Sequence, residues 1–281
     1  MKVVLTKNEL QSEIEKIKGK KKSIGLVPTM GALHKGHLSL IEHCINENDI
    51  SVVSIFVNPT QFNNKKDLEK YPRNVAKDIQ LLDDLGCTLV FTPSVEEMYE
   101  DKELNQPFEF DFGGLDTMME GKFRPGHFNG VVQIVSKLFQ LVQPDRAYFG
   151  EKDFQQLAII RYMVKKMKFD IDIVPCPIVR EANGLAMSSR NELLTPEQRK
   201  IAPEISKILF ASRELVPELS PSAIENWVTE KLNNIPAFKV DYFEIVNAET
   251  LLPVQSWKES AIGCVAVYCG EVRLIDNIRY N

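Results

Sequence analysis

At 281 residues the chain can bury a substantial core, as one large or two moderate domains. Hydrophobic residues make up 44% and charged residues 26%, the balance of an ordinary globular protein, and the formal charge of −5 argues against nucleic acid as a partner of the whole chain. Five unpatterned cysteines, with no run of signal-peptide or membrane-span length, point to a reducing cytoplasm.

Residues 8–18 read as a helix, and the lysine cluster at 18–22 as a solvated turn. An apolar strand at 23–27 leads into a helix at 36–48. The near-continuous β-branched run at 50–57 has the pattern of a strand buried on both faces. A helix is expected at 72–85, with Pro72 at its start and Val75, Ile79, Leu82 and Leu85 on one face. A strand follows at 88–92. Alternation at 108–112 fits a peripheral strand. Then come a helix at 129–142, a strand at 147–149, a helix at 154–167 and a strand at 171–174. This β-α repetition predicts an α/β fold, a Rossmann-like doubly wound parallel sheet with helices on both faces. Composition changes near Pro175-Cys176-Pro177. Helices at 196–214 and 221–233, with strands near 240–247, 261–268 and 271–276, predict a smaller α+β domain. The expected division is 1–176 and 177–281, the second part acting as a lid.

The chemistry concentrates at Val27-Pro28-Thr29-Met30-Gly31-Ala32-Leu33-His34-Lys35-Gly36-His37. Two imidazoles sit where a strand hands over to a helix. Unpartnered N–H groups and the helix dipole favour anions there. Gly31 and Gly36 allow close approach of backbone, and each imidazole can donate to a phosphate oxygen. The pattern suits ATP phosphates without being the Lys-bearing P-loop. Two His three apart can equally cap a helix or bind a metal. Zinc is disfavoured, because only four His are present and no CxxC or HExxH accompanies the pair. Downstream lies Gly184-Leu185-Ala186-Met187-Ser188-Ser189-Arg190-Asn191, whose hydroxyls and guanidinium suit a breaking triphosphate. Alone, such a loop is an ordinary solvated turn. Together the two elements resemble the HIGH and KMSKS-like signatures of adenylate-forming nucleotidyltransferases.

The resemblance narrows along the chain. Phe56-Val57-Asn58-Pro59-Thr60-Gln61-Phe62, Tyr71-Pro72-Arg73, Arg124-Pro125-Gly126-His127-Phe128 and Tyr148-Phe149-Gly150-Glu151-Lys152-Asp153 stand between those two elements. In this order and spacing, over about 22–195, they resemble the pantothenate synthetase (pantoate–β-alanine ligase) family. The Arg273-Leu274-Ile275-Asp276-Asn277 tail fits as well.

That resemblance implies ATP-dependent condensation of pantoate with β-alanine through a pantoyl adenylate, releasing AMP and pyrophosphate. It implies an ATP site made of Met30, Gly31, Ala32, Leu33, His34, Lys35, Gly36 and His37, with Gly150, Glu151, Lys152, Asp153, Val179, Met187, Ser188, Ser189 and Arg190. His37, His34, Lys152, Ser188, Ser189 and Arg190 are the expected catalytic group, His37 as donor to the transferring phosphoryl. Gln61 and Gln155 are expected to hold pantoate, with Asn58, Tyr71 and Arg124 around it. His127 reads as a loop histidine outside the site. ATP and Mg²⁺ are the implied co-substrate and ion, Mg²⁺ held mainly by ATP, and a homodimer is the implied assembly. Two alternatives stand: another nucleotidyltransferase of the same superfamily, against which the Asn58, Gln61 and Gln155 amides argue, and a non-catalytic nucleotide-binding protein, against which the intact motifs argue.

Overall fold

A computed structural model describes residues 1–106 and 108–281. Two compact units emerge. The first takes Met1–Gly114, Arg124–Gly150 and Ile159–Cys176; the second takes Leu115–Phe123, Glu151–Ala158 and Pro177–Asn281.

The first unit is built on six parallel strands: β1 (Lys2–Val4), β2 (Ile24–Thr29), β3 (Ile50–Ile55), β4 (Leu89–Phe91), β5 (Arg146–Gly150) and β6 (Asp172–Cys176). Their order is β1-β4-β3-β2-β5-β6, so the winding reverses between β2 and β5. Val27, Val53 and Val90 lie in one row across the sheet and pack with Ile41, Cys44 and Leu82 from the helices Lys35–Glu47 and Val75–Asp84. Leu26, Val52, Leu89 and Ala147 form the neighbouring row and point to the opposite face, as successive strand residues must. The helix His127–Val142 packs against β2. Such sheets bind ligands beyond the carboxyl ends of their strands, at the reversal. β2 runs directly into the paired histidines there.

The second unit is a three-stranded antiparallel sheet, β7 (Phe238–Asn247), β8 (Ala261–Cys269) and β9 (Val272–Arg279), in that order. The helices Glu204–Arg213 and Pro221–Asn233 cover it through Ile205, Leu209, Ile224 and Val228. Two distant segments pack on this sheet in a second cluster: Met119 and Phe154 lie with Tyr242, Val246, Ile262 and Cys264. Lys152, Asp153 and Gln155 therefore belong to the second unit.

Three local expectations change. Residues 108–112 form no strand. Phe110 stacks edge-on with Phe112 and Tyr162, while side-chain donors of Asn129 and Lys166 take the Phe108 and Asp111 carbonyls that a strand neighbour would have used. The helix expected at 196–214 is two, Pro196–Ile201 and Glu204–Arg213, because Pro203 has no N–H and cannot continue the first. The helix expected from Pro72 begins at Val75, where the Asn74 side chain accepts from the Lys77 amide and caps it. Strand β1, unread in the sequence, pairs Lys2–Val4 with Leu89–Phe91 at the sheet edge.

Candidate active site

His34 is the N-cap of the helix Lys35–Glu47, and His37 is its third residue. The Gly36 amide donates to His34 Nδ1 at 3.1 Å, and the His34 amide donates to His37 Nδ1 at 3.4 Å. The rings lie 4.1 Å apart, tilted by 31°. The two histidines form a capping box of the kind usually built from Ser and Glu. An Nδ1 that accepts a hydrogen bond places the proton of a neutral imidazole on Nε2. Capping thus occupies the nitrogen opposite the one that carries the proton.

The preceding loop is held from behind. Gly31 and Ala32 have φ of 75° and 50°. The Asp78 carboxylate, 1% exposed, accepts the Ala32 amide at 2.9 Å and the Leu33 amide at 2.8 Å. The Gly31 amide donates to Thr29 Oγ1, which itself donates to the Ser54 carbonyl. A Cβ at Gly31 would meet Asp78 Oδ2 at 2.9 Å in a backbone region that side chains avoid. These amides are engaged within the protein, so the imidazole N–H groups, rather than a backbone cradle, are the donors here suited to an anion. Lys35 is exposed beside them. Met30, Gly31, Phe56, Arg73 and Asp78 line a pocket of about 330 Å³ at the ends of β2 and β3.

Asn58 and Gln61 follow β3. Every polar atom of the buried Asn58 side chain is used. Nδ2 donates to the Gly130 carbonyl at 3.0 Å and to Gln61 Oε1 at 3.2 Å; Oδ1 accepts from the Tyr99 hydroxyl at 2.7 Å and from Thr60 Oγ1 at 3.2 Å. Burial pushes the Tyr99 phenol up to about 12, which keeps it a donor at neutral pH. Asn58 therefore orients Gln61. Gln61 Nε2 faces Met30 Sδ at 3.0 Å, a weak acceptor that a stronger oxygen can replace. His127, set aside in the sequence, is buried and bonds the Gln61 carbonyl through Nδ1 at 2.8 Å. Its Nε2 meets Arg124 Nη1 at 3.2 Å. Arg124 and His127 thus support the Gln61 turn. The clue in the sequence was their spacing of three before an apolar helix, visible only once Gln61 is known to pack there. Gly130 is required: a Cβ would lie 2.5 Å from the backbone of Thr60 and Gln61. Tyr71 is buried, edge-on to Phe62 at 5.7 Å, and Arg73 donates to the Tyr71 and Leu68 carbonyls. Asp78, also unread, was an acidic residue on the apolar face of its helix, one turn before Leu82.

In the second unit, Lys152 Nζ pairs with Asp153 Oδ2 at 3.3 Å, both on the turn Glu151–Asp153 that follows Gly150. Gln155 is buried. Its Nε2 donates to the Leu115 and Met118 carbonyls at 2.7 and 2.9 Å, and its Oε1 has no partner among the described residues. Gln155 is thus prepared to accept a hydrogen bond, and its donors are spent. The segment after Val179 is a small hairpin. Arg180 bridges Ala186, the Glu181 amide donates to the Leu185 carbonyl, and the Met187 amide returns to Val179. Asn191 Nδ2 ties this hairpin to Glu181 and Ala186. Ser188 then caps the short helix Ser189–Leu193 by accepting the Arg190 amide, and Ser189 is buried. Hydroxyl and guanidinium groups are thereby set on a closed turn.

The whole chain has known relatives. A sequence model of the pantoate-beta-alanine ligase family matches residues 2–279. A pantothenate synthetase of Bacteroides fragilis is 55% identical over 282 residues, spanning 100% of this chain and 99% of that protein. One from Porphyromonas gingivalis is 54% identical over the same shares. The crystal structure of pantothenate synthetase from Thermus thermophilus superposes with a TM-score of 0.92 at 44% identity, covering 100% of this chain and 99% of that one. The pantoate-beta-alanine ligase from Francisella tularensis, crystallised with β-γ ATP and β-alanine, gives 0.85 at 36% identity, covering 100% and 98%. With the motifs, the fold and these matches running end to end, the chain belongs to the pantoate–β-alanine ligase family.

Proposed function

We propose that His34, His37 and Lys152, with Ser188, Ser189 and Arg190, act on ATP in the reaction of this family, the ATP-dependent condensation of pantoate with β-alanine. The observation that carries the assignment is the capping of one helix start by both histidines through Nδ1, which makes Nε2–H the donor of each neutral ring. A carboxylate does not accept an amine directly, because oxide is too poor a leaving group. Pantoate oxygen attacks the α-phosphorus, the bond to pyrophosphate breaks, and the β-alanine amine then displaces AMP from the adenylate. Nε2–H of His37 donates to the phosphoryl oxygen as charge builds, and Lys152 and Arg190 supply positive charge. The other nucleotide-binding positions, Met30 to Gly36, Gly150, Glu151, Asp153, Val179 and Met187, are assigned to ATP on the same reading.

Gln61 donates and Gln155 accepts. A pantoate hydroxyl suits Gln155, since a hydroxyl donates where a carboxylate does not. Asn58, Arg124 and His127 hold Gln61 in place, and Tyr71 shapes the surrounding wall.

Mg²⁺ would be held by the ATP oxygens and neutralise charge on the phosphates. The cytoplasm and a homodimer complete the proposal. All five cysteines are buried thiols, as in a reducing compartment, and no helix among the described residues is long and apolar enough to cross a membrane.

One assay tests the function: release of AMP and pyrophosphate that requires both pantoate and β-alanine. A dinucleotide-like ester, or no product, would instead indicate a different nucleotidyltransferase or a binding protein.

A further inference from the structure

Adjacent residues on β9, Asp276 and Asn277, are 4% and 6% exposed, and neither carries an assigned role in the reaction above. Asp276 grips the hairpin that leads to Ser188, Ser189 and Arg190. Its Oδ2 and Oδ1 accept from Arg180 Nη1 at 2.6 Å and Nη2 at 2.9 Å, a bidentate pair. The same Nη1 donates to the Gly184 carbonyl at 3.1 Å, at the tip of that hairpin, where φ is 93°. Asn277 grips the other nucleotide segment of this unit. Its Nδ2 donates to two consecutive carbonyls, Glu151 at 2.8 Å and Lys152 at 3.0 Å. The two residues are themselves locked, because the Asn277 amide donates to Asp276 Oδ1 at 2.8 Å.

We propose that Asp276 and Asn277 form one positioning pair that sets Lys152 and the Arg180 hairpin in common register from a single strand of the small sheet. This rests on the assignment of Lys152 and Arg190 to ATP. The physical reason is stiffness. A turn and a hairpin are separately mobile, and each would reorder when the triphosphate binds. Anchored to neighbouring residues of one paired strand, both are placed before the ligand arrives. The Asn277 side-chain amide donates to backbone carbonyls, so it acts through Lys152 and not on the substrate. A displacement of about 1 Å in a charged donor is enough to lose about a hundredfold in rate.

The test is a double-mutant cycle on the full chain. Asn277→Ala should slow pantoate-dependent ATP–pyrophosphate exchange by about tenfold to a hundredfold. Aminolysis of supplied pantoyl adenylate and the apparent constant for pantoate should stay within about twofold, since a local displacement of Lys152 reaches neither. In the Lys152→Ala background, Asn277→Ala should add no more than about twofold, because the ammonium it positions is already gone while the carbonyl it holds remains. Asn277→Ser, which keeps one donor, should fall between wild type and Ala; it also serves if the alanine variant does not fold. Asp276→Asn should impair exchange in the same selective way, through Arg180. If Lys152→Ala itself leaves exchange unchanged, the assignment of Lys152 fails and the pair falls with it. If Lys152→Ala slows exchange but the two losses multiply in the cycle, only the positioning pair is overturned. Equal loss in both half-reactions with a lowered Tm would likewise overturn it, leaving a purely structural anchor.

Discussion

His34 and His37 cap each other's helix start, each offering Nδ1 to a backbone amide within the same turn. Capping and catalysis can therefore be separated by substitution. Asn is among the best N-caps, so His34→Asn should keep stability within about 0.5 kcal/mol while removing the Nε2 donor. Single-turnover adenylation should fall about a hundredfold, the usual loss for one transition-state donor. His37→Ala should slow it at least as much. Wild-type adenylation in both variants would remove the histidines from the chemistry.

Asp78 faces two amide donors in a site almost closed to water. Asp78→Asn turns one acceptor into a donor against a donor. The cost of such an unsatisfied buried group is about 1–3 kcal/mol. Urea unfolding should show a lower midpoint with unchanged slope, and the apparent constant for ATP should rise. An unshifted midpoint would mean that the loop does not depend on Asp78.

Gln155 spends both donors on Leu115 and Met118 and presents an oxygen. Gln155→Ala should raise the apparent constant for pantoate about 5- to 150-fold, the equivalent of about 1–3 kcal/mol, with a far smaller change for ATP. An analogue of pantoate lacking one hydroxyl should lose affinity to wild type yet lose little more to the variant. Parallel rises for pantoate and ATP would point to general damage instead.

Arg190 sits on the turn capped by Ser188. On the proposed assignment to ATP, positive charge there matters while pyrophosphate leaves and not afterwards. Arg190→Ala should impair adenylation more than attack on supplied adenylate, and hydrogen exchange across 182–191 should slow when ATP and pantoate bind together. Equal impairment of both half-reactions, with unchanged exchange, would leave Arg190 as a structural residue.

The thiols should be inert in the folded protein. Burial pushes Cys44 up to about 12 and raises Cys87, Cys264 and Cys269. At pH 8 the folded thiolates are therefore scarce, whereas unfolded cysteines ionise near pH 8.5. A raised folded pKa leaves stability intact below the unfolded value and erodes it as pH climbs toward the folded one. Stability should thus decline above about pH 8.5, and a disulfide reagent at pH 8 should label these four only on unfolding. Rapid labelling of the native chain would contradict their burial.

The sequence alone determined five of the six strands of the first unit and the helix that begins at the paired histidines, because both are local. Near-continuous apolar runs and amphipathic helices are written in neighbouring residues, and His34 and His37 lie within one helical turn. The break at Pro203 was legible too, though the expected helix ran across it. Tertiary structure alone decided which groups hold that chemistry in place. Asp78 reaches the Ala32 and Leu33 amides from 46 and 45 positions away, and Asn277 reaches Lys152 across 125. His127 supports Gln61 across 66. No periodicity encodes such pairs, because the contact is made by the packing of whole elements. The same holds for Gln155: its sequence offers donors and an acceptor alike, and only the carbonyls of Leu115 and Met118 determine that the oxygen is what remains for a ligand.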